Sequence, residues 1–385
     1  MLTFQSKTIR QATWLELFYD LVFVAVIGLV AHDLAHTHHG EITRAQMLSF
    51  FLIFIPVWWV WASHTLFANR YDTDSHLNRF IAISLMALVV VLSAFVETAL
   101  ESGFKGFVTV YLLMRFVVAI AYYTAPDTTP DGDRLANRMH QVILIGLLIS
   151  ATSLLFDTAI KFILLYLGII VEILLMTRLG NLARAFPIHR KHLIERIGLL
   201  AIIVLGESVI RIVGTLTAKE HYDILDVVAT VGGFLLIVQI WWIYFDSLYL
   251  LERAKNIKTG MVPLISHLLL YVGIVFLANL TGHAIAGDLN NQTFTMLGIT
   301  GLVSFYLGKQ ISYFVAYPPY RIPNIVNTLI CVSITIIASF LPQAEYSLLM
   351  MCFGMFVYVQ SNLRWTIPAH NVDSYILPQE HFDSG

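Results

Sequence analysis

The sequence predicts an all-α polytopic membrane protein of about 12 transmembrane helices, arranged as two parallel six-helix repeats. Three observations lead there. Of the 385 residues, 58% are hydrophobic and only 12% charged, against about 25% charged in soluble domains, and the mean hydropathy is +0.75. Apolar runs long enough to cross a ~30 Å hydrocarbon layer recur along the whole chain. Landmarks of the first half then return in the second half in the same order.

Hydropathy places the spans at roughly 14–36, 45–67, 79–100, 106–125, 138–156, 159–177, 193–216, 224–249, 261–286, 293–316, 322–341 and 345–366. The loops between them are short, so no soluble domain is inserted. The polar start leads directly into a first span too long for a signal-peptide core, and that helix is expected to be retained. Residues 1–190 form the first repeat and 191–367 the second. The Pro-containing stretch 368–385 is expected to be a disordered cytoplasmic tail.

Lys and Arg set the orientation. Of 23 such residues, 16 lie in the termini and even-numbered connections, from Lys7 and Arg10 through Arg70, Arg79, Arg184, Arg190, Arg196 and Lys258 to Arg364. The odd-numbered connections hold Arg44, Lys105, Lys161 and Lys219. The positive-inside rule therefore puts both termini in the cytoplasm.

The basic segment TRLGNLARAFPIHRKH divides the halves. WLELFYDLVFV answers LIERIGLLAII, with Glu16 against Glu195. VWWVWAS answers IWWIYFD, and Gly168 and Arg178 answer Gly354 and Arg364. An even number of helices in each half makes the repeat parallel, about an axis along the membrane normal. Cys331 and Cys352 lie in apolar runs and read as core residues, with no disulfide framework and no metal motif. No basic domain suits nucleic acid, and no P-loop, Rossmann fingerprint or nucleophile elbow is present.

The candidate site residues are the polar groups that lipid should exclude. Glu16 and Asp20 are four apart on the first helix and so share a face. Together with His64 and Asn78 they fall near the cytoplasmic ends of the first three helices, as a structural clasp, an ion or proton path, or both. Arg115 and Glu172 lie at mid-membrane depth and are expected to pair. Glu207, inside LGES, is expected to pair with Lys309 or with Arg211 one turn away. Glu207 is the single most promising functional carboxylate. His32, Asp33 and His36 cluster at the outer end of the first helix with metal-compatible spacing, but a solvated helix end explains them better, and no metal or other cofactor is expected. Trp58, Trp59, Trp61, Trp241, Trp242 and Tyr244 read as an interfacial aromatic belt.

LELFYDLVFV at the first helix and RIGLLAIIVLGESVI, Arg196 to Ile210, resemble the bacterial low temperature requirement A membrane proteins over essentially the whole chain. That family's molecular activity is not established. LELFYDLVFVAVI also resembles, more weakly, the first-helix signature of endolysosomal-type potassium channels and their bacterial relatives, through Phe18, Asp20, Val22, Phe23 and Ala25. That likeness implies that Trp59 or Trp61, His64 and Asn78 lock the first helix. Tyr19 departs from the motif serine, and Leu199 stands where a second aspartate would be.

Buried polar groups in paired repeats, with no catalytic dyad, favour movement of a small cation, proton or small solute over chemistry. The alternatives are an intramembrane enzyme using Glu207 and a histidine as acid and base, or a non-transporting scaffold. The expected partners are the lipid bilayer, a small cation or proton, and a second copy of the chain in a homodimer. Reporter fusions test the orientation: those after Arg190 and at Gly385 should report cytoplasm, and one in the His38–Gly40 loop should report the outside. An outside signal after Arg190 would remove the six-plus-six arrangement.

Overall fold

A computed structural model describes residues 12–361. The expectations for Lys7, Arg10, Arg364 and the tail 368–385 lie outside those residues. Among the described residues the chain forms thirteen α-helices and no strand. They are α1 Trp14–His32, α2 Arg44–Tyr71, α3 His76–Ser93, α4 Phe104–Tyr123, α5 Pro130–Ala151, α6 Ile160–Arg178, the short α7 Gly180–Ala185, α8 Arg190–Thr217, α9 Ile224–Arg253, α10 Met261–Ala286, α11 Asn291–Ala316, α12 Arg321–Ser339 and α13 Ala344–Ser361. Each predicted stretch falls on one long helix. Ten of these are long and apolar enough to cross a membrane. The helices α11 and α13 fall short because they are less apolar, α11 carrying Asn291, Gln292, Lys309 and Gln310, and α13 carrying Glu345 and Gln360.

Local chemistry sets the ends. Thr13 and Thr43 each close a capping box, with Glu16 and Gln46 at the third helical position, which satisfies two orphan backbone donors at once. Thr129 accepts from the Gly132 N–H, and Pro130 occupies the first turn of α5, where its missing N–H costs nothing. That helix therefore starts about two turns before its apolar stretch. Helix α3 stops at Ser93, and turns fill 94–103, earlier than the hydropathy run implied.

Helices α1 and α8 run side by side in the same direction. The bonds joining them keep a near-constant sequence separation, 180 residues for Arg196–Glu16, and 176 for Arg196–Asp20 and Arg211–Ala35. Only parallel helices hold such an offset from end to end. The ends where α1 and α8 begin are called the base here, and the opposite ends the top. At the top, the turn after α1 is docked by three bonds: Arg211 donates to the Ala35 carbonyl (3.2 Å), His283 contacts that of Leu34 (2.8 Å), and the Asn290 N–H donates to that of Gly40 (2.8 Å).

Around this seam α1 packs on α2 and α3, α3 on α4, α4 on α5, α5 on α6, and α2 on α4. In the second half α8 packs on α9 and α10, α10 on α11, α11 on α12, α12 on α13, and α9 on α11 and α13. Helices α10 and α11 approach backbone to backbone. A Cβ at Gly273 would lie 2.4 Å from the Phe305 nitrogen and one at Gly308 2.3 Å from that of Leu270, the small-residue contact by which membrane helices pack closely. Trp58, Trp59 and Trp61 are fully buried, so they do not belong to an interfacial belt. They sit on α2, which is walled in by its neighbours, whereas Trp241 and Trp242 on α9 are about half exposed. Cys331 and Cys352 are buried free thiols.

In the first half, Arg115 of α4 and Glu172 of α6 form a fully buried ion pair. Gly146 of α5 makes room for it: a Cβ there would lie 2.9 Å from Glu172. The Trp59 ring lies 5.8 Å from the guanidinium. Removing one partner strands the other charge in the core, so Arg115→Leu or Glu172→Leu alone should cost on the order of 3–5 kcal/mol. The double Leu variant should regain much of that. Denaturation in detergent measures the cycle, and a double variant as unstable as the sum of the singles would refute the coupling.

Candidate functional site

Two polar stations lie on the α1–α8 seam. The first, at the base, starts from the capping box of α1. Glu16 accepts from the Thr13 N–H (2.8 Å), which fixes its carboxylate, and Asp20 sits one turn further along the same face. Helix α8 presents His192 and Arg196, also four residues apart. The Arg196 guanidinium donates to Asp20 through Nε (2.9 Å) and Nη2 (2.5 Å), and to Glu16 through Nη1 (3.2 Å). The two bonds to Asp20 form the fork geometry that makes arginine–carboxylate pairs strong. The Trp61 indole donates to Asp20 Oδ1 at 2.7 Å. Asn69 donates to His192 Nδ1 (3.0 Å) and to the His189 carbonyl (2.9 Å). This leaves the His192 Nε2–H to donate to Glu16 (3.1 Å), a tautomer set by the network. Arg196, Asp20 and His192 are fully buried and Glu16 nearly so. Two carboxylates thus share one guanidinium.

His64 and Asn78 approach this cluster without joining it. Glu16, Tyr19, His64 and Asn78 border a cavity of about 10 Å³, the size of a single water. His64 lies against Tyr19, ring centroids 4.6 Å apart. Asn78 instead holds the turn before α3, donating to Asp72 (3.0 Å). Asp20 faces away from both, toward Trp61 and Arg196, so the four residues do not form one clasp around Asp20. Of the two tryptophans that the channel resemblance offered, Trp61 is the one that reaches Asp20.

The second station is a cleft of about 210 Å³ toward the top, between α1, α8 and α10. Glu207 enters it half-buried beside Gly28, where a Cβ would lie 3.1 Å from Glu207 Oε1. A side chain at that position would press on the carboxylate and shift it by a few tenths of an ångström. No hydrogen bond or ion pair to any described residue is formed by that carboxylate. Asn279 of α10, 3% exposed, also lines the cleft, and its Oδ1 is buried without a partner. Ser208, Arg211 and His32 complete the polar lining.

The expected Glu207–Lys309 pair does not form. Helix α10 lies between α8 and α11, and the Lys309 ammonium is buried against the rings of Tyr313 (4.8 Å) and Tyr358 (5.5 Å). Arg211 is not paired with Glu207 either. It is drawn along the seam to the Ala35 carbonyl, and it packs on Gly282 of α10. His32 and His36 stack edge to face, centroids 4.6 Å apart. Asp33 and His36 offer their backbone carbonyls to Gln46. No group of three or more metal-ligating side chains occurs among the described residues.

Both stations fall within stretches that carry a family signature. Residues 11–359 match the bacterial low temperature requirement A proteins (LtrA). The chain belongs to the LtrA family. It is also 27% identical over 253 residues to an uncharacterized protein of Rhizobium meliloti (strain 1021), an alignment covering 62% of this chain and 59% of that protein. The chain thus spans about three-fifths of the length of the curated relative it matches.

Arg196 and His192 were the partners that sequence reasoning missed. Arg196 opens the second LtrA motif, yet it reads in sequence as one more basic residue of the central connection. The signal that could have found it is spacing: His192 and Arg196 repeat, with opposite character, the four-residue interval of Glu16 and Asp20 at the start of the corresponding helix. In this LtrA protein Arg196→Leu should cost on the order of 3–5 kcal/mol by stranding two buried carboxylates. Asp20→Asn keeps one acceptor oxygen for Trp61 and Arg196 Nη2, loses the one that accepts from Arg196 Nε, and strands no carboxylate, so it should cost less. Thermal unfolding in detergent compares them, and equal losses would show that the charge of Arg196 is not what the site needs.

Proposed function

We propose that this LtrA protein carries a small cation or a proton across a bacterial plasma membrane, with Glu207 as the binding group. The observation that carries this is the Glu207 carboxylate, half-buried in a cleft that Asn279 also lines and without a hydrogen bond or ion pair among the described residues. Oxygen donors in a confined cleft suit a hard cation or a proton. An unpaired intramembrane acid marks a pathway more readily than a structural joint. In this reading the base lies in the cytoplasm, both termini are cytoplasmic, and α11 and α13 complete 12 crossings.

The same reading makes the chain two parallel repeats, 1–190 and 191–367. The parallel course of α1 and α8 supports this, as does the shared order of neighbours in α1–α6 and α8–α13. The packing of α9 on α13 is a departure, since α2 has no comparable packing on α6. The bilayer is the immediate partner, and a homodimer remains the proposed assembly.

A scaffold that transports nothing is the second reading, favoured by the saturated Glu16–Asp20–Arg196 cluster. Purified protein in liposomes separates them. Wild type should pass potassium, sodium or protons above empty vesicles, and Glu207→Gln should lower that flux by about tenfold or more while the fold persists, as loss of a charged ligand implies. Wild-type vesicles no leakier than empty ones, or an unchanged Glu207→Gln, would refute the proposal.

A further inference from the structure

We propose that the cation accepted by the Glu207 cleft is the ammonium end of a small zwitterion, whose carboxylate end Arg211 takes; this rests on Glu207 being the binding group of the carrier. Glu207 and Arg211 stand four residues apart on α8, and both line the same cleft. An acid and a base at that interval on one helix normally pair. Here they stay apart, each with bonding capacity to spare. The carboxylate makes no hydrogen bond or ion pair among the described residues. The guanidinium makes one bond, from Nη2 to the Ala35 carbonyl (3.2 Å), and its Nε is buried with no partner among the described residues. Asp288 acts on Arg211 at longer range, but its Oδ1 is engaged by the His283 ring (2.7 Å).

Asn279 adds a second acceptor. Its Nδ2 donates to the Val275 carbonyl one turn back (3.1 Å), which fixes Oδ1 as the end left buried without a partner among the described residues. The cleft therefore brings together a negative group, a positive group and a spare amide oxygen. Ala31 of α1 and Val275 and Ala278 of α10 add apolar wall. Size then selects among occupants. A proton needs no cavity, and one water needs only about 10–15 Å³ of such space, against about 210 Å³ here. An inorganic cation on Glu207 alone leaves the guanidinium and most of that volume unused, and an anion on Arg211 alone leaves the carboxylate. A molecule with an ammonium at one end, a carboxylate at the other and a short carbon chain between them answers both charges and covers the apolar wall, as small-ligand sites require. Guanidinium also matches carboxylate in geometry.

Purified full-length protein in neutral detergent tests this by thermal unfolding and isothermal titration. Glycine, β-alanine and γ-aminobutyrate set their two charges progressively further apart, and propylamine and butyrate are the two halves of the last. At least one zwitterion should bind wild type on the order of tenfold tighter than either half, as a second charged contact implies. Glu207→Gln and Arg211→Gln should each remove that advantage, while propylamine should still bind Arg211→Gln. If Arg211→Gln loses propylamine as well, Arg211→Lys decides, because it keeps a positive charge for the carboxylate: it must retain most of the zwitterion's advantage, and its failure to do so would overturn the assignment. Zwitterions bound no tighter than propylamine or butyrate, or bound by Arg211→Gln as tightly as by wild type, would overturn it too, as would no response to any of the five probes. Ion flux is read separately in liposomes, so the two readings fail apart. Glu207-dependent flux without zwitterion binding leaves the carrier standing and removes the zwitterion. Zwitterion binding that both Gln variants lose, with no ion flux, upholds the site and removes ion transport.

Discussion

Arg196 is the group on which the two halves depend. A guanidinium inside a membrane protein has no water to fall back on, and its cost is relieved only by partners held in place. Two of its bonds go to Asp20 and one to Glu16, all from the first helix of the first half to the first helix of the second. Each partner is fixed in turn by another element: Glu16 by the backbone of Thr13, Asp20 by the indole of Trp61 on α2. His192 is fixed by Asn69, also on α2. A shift of α8 by one residue along α1 would move the guanidinium about 1.5 Å and break the fork. The cluster thereby sets the register of the seam, and with it the meeting of Gly28 with Glu207 further up.

The two stations differ in how far they are satisfied. At the base Arg196 and the His192 ring have carboxylate or amide partners. The cavity beside Glu16, where Tyr19 Oη and His64 Nδ1 have no partner among the described residues, has room for about one water. Toward the top the Glu207 carboxylate faces the cleft, and the Asn279 Oδ1 is buried with no partner among the described residues. Helix α1 forms one wall of both. Its glycine at position 28 thins that wall where Glu207 needs room, and its acids thicken the bonding where Arg196 needs partners. One pair of helices thus joins a closed end to an open one.

Much of the fold was legible because lipid imposes a simple rule. Backbone must be helical where water is absent, so apolar runs located every long helix. What the sequence could not supply was which helix faces which. Arg115 and Glu172 were found from depth alone; α5 stands between their helices, but its Gly146 leaves room for the two side chains to meet. The same depth argument failed for Glu207 and Lys309, since α10 stands between their helices and depth carries no angular information. Trp58, Trp59 and Trp61 looked interfacial for a related reason. Position along a helix does not tell whether the helix is at the rim or in the middle. Arg196 was hidden by its neighbours in sequence, four other Lys and Arg residues in a connection where charge is expected.

The chemistry of the seam also bears on the proposed repeat. If the halves descend from one six-helix unit, α1 and α8 began with the same side chains facing each other across the axis. Two acid pairs in that contact would repel in a medium that screens little, and two basic pairs equally. A parallel contact between like helices is therefore stable with charge only after the two copies diverge. Glu16 and Asp20 on one side, His192 and Arg196 on the other, are such a divergence, at the same interval and the same distance from the start of each helix. A well-packed apolar seam would have been as stable as this one. Retaining four ionisable groups there gives the first half and the second half distinct roles that an apolar contact between equivalent helices would not specify.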